Sequence, residues 1–388
     1  MNISREKIVQ LSLELLGENK SRPIFFMASN QEIFLGWEKD NTLERNADSP
    51  TIVKKFFSSD SPKTSLWNGF TNEDEFTPRY YLYLNNENEL STNLTSISPT
   101  SIPFTPLPLL FLRDVEKNES KKKWNNYCEK IKQKIESNEL EKLVPALQKT
   151  YKAQQKLSST EIASLFKKIL ESPLPNTHLF YFKENDDVFL GASPELLFTI
   201  QNESLFIPAI AGTRPRGEDL LEDEKLAHEL QNSKKEQDEH HFVVEFIVKT
   251  LKEQGLNPQY KPKPELLFLK TLQHLYTPIR AQIPPSIKAK KILNALHPTP
   301  AMAGVPQDKA IKFITEEESF ERGLYASPMG FIFPNGNARF IVGIRSMLIK
   351  NNEIHLFAGA GFVKDSDPDE EWNEIERKIQ TLESFLKK

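Results

Sequence analysis

Two pairs of glutamates stand where apolar residues belong. In KEQDEHHFVVEFI, residues 235–247, the helical face that carries Val243, Ile247 and then Leu251 continues backward to Glu239 and Glu236. The pattern recurs near the end of the chain, where Glu371, Glu374, Ile375, Lys378 and Leu382 fall on one stripe. Burial favours the neutral form of a carboxylate unless it is paired or binds a cation. Either helix alone could run to the surface and leave its acids in water. Together they offer oxygen ligands without cysteine or histidine, which suits a hard cation such as Mg2+ that keeps waters and bridges to an anionic substrate. Zinc fits poorly: the adjacent His240 and His241 diverge by about 100° on a helix, and HExxH is absent.

A cation with the same problem lies in ARFIVGIRSMLI. Read as one strand, it puts Ile341, Gly343, Arg345 and Met347 on one face. Arginine cannot escape burial by losing its proton, so Arg345 calls for a fixed anion, or else for a strand edge open to solvent. The AGAG run at 358–361 would let backbone N–H groups approach a ligand closely, although glycines also end strands.

The elements that must position these groups are legible in outline. One long helix is predicted from about 220 to 252, stopped by Gly255 and Pro258. The last helix opens at Asp367-Pro368-Asp369-Glu370, which supplies an N-cap, a proline at the first helical position and a capping-box glutamate. KKKWNNYCEKIKQKIESNEL reads as a helix and LEKLVPAL as a short strand after it. Residues 178–216 read as a meander of three strands, HLFYF, VFLGASPELLFTI and LFIPAIAGTRPRG; residues 329–361 read as a second, with Asn335-Gly336 as a hairpin turn. Two meanders, each near a long helix, predict an α+β fold of two antiparallel-sheet halves flanked by helices. The N-terminal part adds a first helix and the strands PIFFMA, EIFLGW and YYLYL. The Ser/Thr/Pro-rich TSISPTSIPFTPLPLL is the candidate boundary, giving an N-terminal α/β portion, 1–118, packed onto a catalytic domain, 119–388.

Composition excludes several classes. The chain has 388 residues, 38% hydrophobic and 27% charged, with a formal net charge of -4, the profile of a globular protein rather than a nucleic-acid surface. Its one cysteine, Cys128, cannot form an internal disulfide, which predicts a reducing cytoplasm. The N-terminus lacks the apolar core of a signal peptide, and no segment approaches the roughly 18 to 20 apolar residues of a membrane span.

Five stretches together carry a resemblance: PAIAGTRPRG, LHPTPAMAGVP, ERGLYASPMGF, GIRSMLI and FAGAGFVKDSDPDEEWNEIERK. Over about residues 120–388 the chain resembles the chorismate-utilising enzymes, the anthranilate synthase component I-like family, and within it the motifs are most similar to isochorismate synthases. The resemblance implies that family's fold and an Mg2+-dependent conversion of chorismate to isochorismate, by water attack at C2 with loss of the C4 hydroxyl. It implies Lys142 of KLVPA as the base that activates the water and Glu195 of GASPELL as the acid that protonates the departing hydroxyl. His274 would stand near the leaving group. Arg345 and Tyr325, with the amides of Gly359 and Gly361, would hold the enolpyruvyl carboxylate. Mg2+ on Glu239 and Glu374 would take the ring carboxylate, with Glu236 and Glu371 as outer or alternating ligands and Lys378 balancing their charge. Gly212, Thr213 and Ala301 would line the site.

The relatives that install ammonia carry glutamine where Lys142 stands, or a lysine where Ala211 stands, so no glutamine amidotransferase subunit is expected. Salicylate synthases typically carry threonine where Ala301 stands. The competing readings are a salicylate synthase, which goes on to eliminate pyruvate, and a non-catalytic chorismate-binding protein. Two positions depart from the family pattern: Leu147 replaces an arginine after the base-lysine strand, and Ser327 replaces the glycine of YAGP. A monomer or homodimer is expected, without nucleic-acid or membrane partners.

Overall fold

In the computed structural model the described residues are 5–17, 24–29, 32–37, 50–55, 57, 66, 75–76, 80–84, 90–92, 110–112 and, save 173, 175 and 269–271, residues 117–386. Antiparallel strands form two large sheets, one of ten strands and one of eight. In strand order, the first sheet runs Leu90–Thr92, Tyr80–Leu84, Ile33–Trp37, Ile24–Ala28, His178–Glu184, Asp187–Ser193, Ser346–Lys350, Glu353–Gly359, Ala146–Ala153 and Leu110–Leu112. The second runs Glu265–Phe268, Leu272–Gln282, Ser204–Pro215, Leu196–Gln201, Ala338–Val342, Pro328–Ile332, Thr51–Lys54 and Glu75–Phe76.

Alternation of side chains across the first sheet fills the space on both of its faces. Phe26 and Tyr181 pack edge-on against Phe166 of the Ser159–Glu171 helix. On the other face Phe34 stacks on Phe331 of the second sheet, with centroids 4.4 Å apart. The second sheet takes the Lys234–Glu253 helix against its strands Ser204–Pro215 and Leu272–Gln282, and the Pro368–Leu386 helix packs against Glu353–Gly359 of the first. The expected α+β architecture with two antiparallel sheets and flanking helices is what the chain forms.

The path of the chain differs from the expected halves in an informative way. VFLGASPELLFTI is two strands: Asp187–Ser193 lies in the first sheet, and beyond Pro194 the chain turns into the second as Leu196–Gln201. ARFIVGIRSMLI makes the reverse crossing, from Ala338–Val342 in the second sheet to Ser346–Lys350 in the first. Arg345 therefore lies in the corner, with φ +49°, and the period-two placement that put it on a strand face does not hold. LEKLVPAL is likewise broken at Pro145 into Lys142–Leu143 and the long strand Ala146–Ala153.

The predicted 220–252 helix is also two helices, Leu220–Asn232 and Lys234–Glu253. Ser233 separates them and caps the second, its hydroxyl accepting from the Glu236 N–H. The stop at Gly255, φ +80°, is as expected, and the last helix begins at Pro368 with the Asp367 carboxylate accepting from the N–H groups of Asp369 and Glu370. The helix Lys117–Glu136 and the strands Ile24–Ala28, Ile33–Trp37 and Tyr80–Leu84 also form where predicted. The proposed boundary stretch lies outside the described residues up to its last, Leu110; the strands before it extend both sheets.

Candidate active site

The two sheet crossings run side by side. The Val342 N–H donates to Glu195 O at 3.1 Å, and the Ala192 N–H donates to Arg345 O at 3.0 Å, so the corners fix each other's backbones. Gly191 is required there, since a Cβ would stand 2.4 Å from Arg345 O. A cleft of about 1490 Å3 opens at these corners, and every residue nominated from the sequence lines it.

The Lys142 segment is laced on both sides. Leu143 exchanges backbone hydrogen bonds with Phe362, while Glu141 and Val144 donate to Val305 O and Ala303 O. This holds the Lys142 side chain almost wholly buried, 2% exposed, with Nζ 2.5 Å from Glu239 Oε1. Burial acts to raise the Glu239 carboxyl, but Lys142, with Lys235 and Lys378 behind it, keeps the group below the usual range. Gly361 lies against the pair: a Cβ would be 3.2 Å from Lys142 Cε and 3.4 Å from Glu239 Oε1.

Glu195 is half-buried at the cleft wall. Burial pushes its carboxyl up from 4.5 to about 7 against the opposing pull of Lys142 and Lys378. His274 stands opposite Thr213 on the neighbouring strand, Nδ1 2.9 Å from Thr213 Oγ1, and burial lowers its pKa. Just before Thr213, Gly212, φ +73°, forms a bulge that leaves the Thr213 N–H donating to Glu236 Oε2 at 3.2 Å.

Tyr325 is buried and stacks on Phe357, with centroids 5.3 Å apart. Gly359 lets its hydroxyl come close, a Cβ there being 3.1 Å from Tyr325 Oη. Ser327 fills the usual glycine place without strain: the left-handed backbone falls on Ala326, φ +58°, and the Ser327 hydroxyl donates to Gly323 O. Arg345 forms no ion pair with any described carboxylate; burial lowers its pKa while Tyr325 and Glu374 oppose the shift. A guanidinium facing a cleft without a protein counter-ion is a ready anion receptor.

The four ligand candidates share the cleft but do not gather as expected. Among the described residues no group of three or more His, Cys, Asp and Glu side chains is placed to hold a metal. Three of the four carboxylates are instead each drawn to a cation: Glu239 to Lys142, Glu236 to Arg214 at 2.7 Å, and Glu374 to Lys378 at 2.6 Å. Lys378 also donates to Gly359 O. Glu371 is pushed up to about 7, by burial first and then by Glu374. All four acids nonetheless line the one cleft, and carboxylate oxygens are the donor type that Mg2+ takes. His240 and His241 diverge as expected: His240 is buried, with Nε2 2.8 Å from Thr277 Oγ1, and His241 is exposed beside Glu245.

Among the cleft arginines that escaped the sequence reading, two lie next to nominated residues. Arg214, in AGTRPRG, neutralises Glu236, and Arg322, in ERGLYASP, is fully buried against Glu318. Both lie within quoted motifs, so proximity to Gly212 and Tyr325 was the signal available.

The fold and the cleft together define a class: two antiparallel sheets whose paired crossings open onto one cleft lined by charged side chains. Comparison with known families gives this class a name: residues 109–387 match the family described as chorismate binding enzyme, and the chain belongs to it. Isochorismate synthase MenF of Haemophilus influenzae is 34% identical over 304 residues, covering 76% of this chain and 66% of that protein. The salicylate biosynthesis isochorismate synthase of Pseudomonas aeruginosa is 38% identical over 211 residues, covering 54% and 44%. The structure of the menaquinone-specific isochorismate synthase of Escherichia coli superposes with a TM-score of 0.78 at 25% identity, covering 97% of this chain and 91% of that one. The chain thus matches less than two thirds of the length of each of the two curated relatives.

Proposed function

We propose that the chain is an Mg2+-dependent isochorismate synthase that adds water at C2 of chorismate and expels the C4 hydroxyl. The observation that carries this reading is the content of one cleft: a buried lysine amine, a carboxyl whose affinity for its proton is raised to neutrality, and a guanidinium with no carboxylate partner among the described residues. The last holds an anion, and the first two are a base and an acid of opposite duty.

In this reading Lys142 takes a proton from the attacking water, for which its amine must be neutral, having first given up a proton and its ion pair with Glu239. Glu195, which keeps its proton up to about pH 7, where it is half ionised, delivers a proton to the departing hydroxyl, and His274 with Thr213 borders the leaving group. Arg345, Tyr325 and the backbone at Gly359 and Gly361 orient the enolpyruvyl carboxylate, while Gly212 and Ala301 shape the wall. Glu239 and Glu374 would hold Mg2+, with Glu236 and Glu371 as outer ligands; the ion supplies charge neutralisation for the ring carboxylate. Lys378 balances the acids. The catalytic unit is taken as 119–388, with the described strands of 1–118 extending its sheets, working in the cytoplasm.

The test is to incubate the full chain with chorismate, with and without Mg2+, and separate the products by chromatography. Isochorismate formed only with Mg2+ is expected. Salicylate with pyruvate would move the activity to a salicylate synthase, and unconsumed chorismate would leave a binding protein.

A further inference from the structure

Glu318 and Arg322 are almost completely enclosed, with side chains 1% and 2% exposed, although neither is needed to touch a substrate. Four of the five guanidinium N–H donors have acceptors. Nε and Nη2 grip Glu318 Oε2 and Oε1, each at 2.6 Å; Nη1 donates to Met302 O at 2.9 Å and Nη2 to Val144 O at 2.6 Å. Glu318 Oε1 in turn accepts from the Ala146 N–H at 2.9 Å. The pair thus ties both sides of the Pro145 break to the loop that follows Ala301. Phe57 covers the guanidinium from the N-terminal portion, 4.5 Å from its ring centroid.

Stability alone is a weak account of this arrangement. Desolvating two charges offsets most of their attraction, and well-packed apolar side chains often serve a fold as well. What apolar side chains cannot do is fix the direction of three backbone groups at once. Val144 O and the Ala146 N–H flank the Pro145 break just after Lys142, whose side chain lines the cleft, and Met302 O belongs to the segment whose Ala303 and Val305 carbonyls hold the other side of Lys142.

We propose that the Glu318–Arg322 pair is a positioning device that sets the Lys142 segment against the 301–305 loop and thereby places the base for proton transfer. This rests on the reading of Lys142 as the base. Displacing a reacting group by about 1 Å can lower a rate about a hundredfold while leaving binding groups elsewhere in place.

The test compares the wild type, Glu318→Gln/Arg322→Met, Arg322→Lys and a control, Arg339→Met, which breaks the remote Arg339–Glu32 pair. All are assayed well below their melting temperatures. In the double variant, or in Arg322→Lys should the double variant not fold, kcat should fall at least tenfold with KM within threefold. The control should keep its kcat even where its melting temperature drops. Hydrogen exchange of peptides spanning 141–147 and 300–306 reads the clamp without substrate and should speed at least tenfold in the pair variants alone. Wild-type kcat in folded pair variants, or an equal loss in the control, overturns the proposal. If the wild type fails to consume chorismate, the functional reading falls separately, and unchanged exchange at 141–147 then overturns the clamp.

Discussion

Replacing Glu195 by glutamine should make the protein more stable at alkaline pH while removing its activity. The carboxyl is raised from 4.5 to about 7, chiefly by burial. The folded state therefore binds this proton more tightly than the unfolded chain does, and between those two values it carries the greater share of protons. Stability contributed by the group is complete below pH 4.5, declines as pH rises and is lost above pH 7. At 1.36 kcal/mol per unit, the ionised carboxylate lowers stability by about 3 kcal/mol at pH 8, an upper value because water in the cleft screens part of the charge. Glutamine keeps the shape and never ionises. Urea melts of both proteins between pH 4.5 and 8 should coincide at the acid end and separate progressively, Glu195→Gln being more stable by up to about 3 kcal/mol at the alkaline end. For the wild type, kcat/KM should fall about tenfold per pH unit above 7, as the acid loses its proton. A constant offset between the two stability curves across this range would refute burial as the source of the raised value, and with it the physical case for Glu195 as the acid.

Lys142→Ala should lower kcat by about 10²- to 10⁴-fold, the usual contribution of a positioned base, while equilibrium dialysis still detects chorismate binding; near-normal turnover would remove Lys142 from that role. Gly361→Ala should leave the melting temperature nearly unchanged, because the new methyl meets flexible side-chain atoms 3.2 and 3.4 Å away, yet reduce kcat roughly tenfold by shifting Lys142; an unaltered rate would show that the amine tolerates displacement. Mg2+ with chorismate at 100 times the dissociation constant should stabilise the wild type by about 2.7 kcal/mol in thermal melts, and Glu374→Gln should lose most of that gain; equal gains in both would exclude Glu374 as a ligand.

Helix faces were legible because their period is undisturbed. Val243, Ile247 and Leu251 are only 4%, 3% and 0% exposed, and Ile375 and Leu382 0% and 1%, so the apolar stripes locate the faces that Glu236, Glu239, Glu371 and Glu374 extend toward the cleft. Residue types could not tell which cation each carboxylate takes. Arg214, Lys142 and Lys378 come from a sheet edge, a broken strand and the acid's own helix, and only tertiary structure brings the first two to their partners. The break at Ser233 was also readable in principle, since serine three residues before Glu236 is an N-cap signal, but the continuous helical pattern on either side masked it.

The strand breaks were hidden for a physical reason that also explains why the site forms there. Apolar residues run through both corners: Leu190 and Leu197 flank Glu195, and Val342 and Met347 flank Arg345, all at 4% exposure or less. A strand with both faces covered looks the same in sequence whether it continues in one sheet or crosses into another. Inside such a strand a charged side chain would enter a packed layer, at a large desolvation cost. At a crossing the chain leaves one sheet before joining the next, so its side chain can point into the gap between them. The partner backbone groups are still satisfied, Glu195 O by the Val342 N–H and Arg345 O by the Ala192 N–H. Two adjacent, mutually bonded crossings thus expose an acid and a guanidinium to one space while keeping both rigid, which is what the proposed chemistry asks of them.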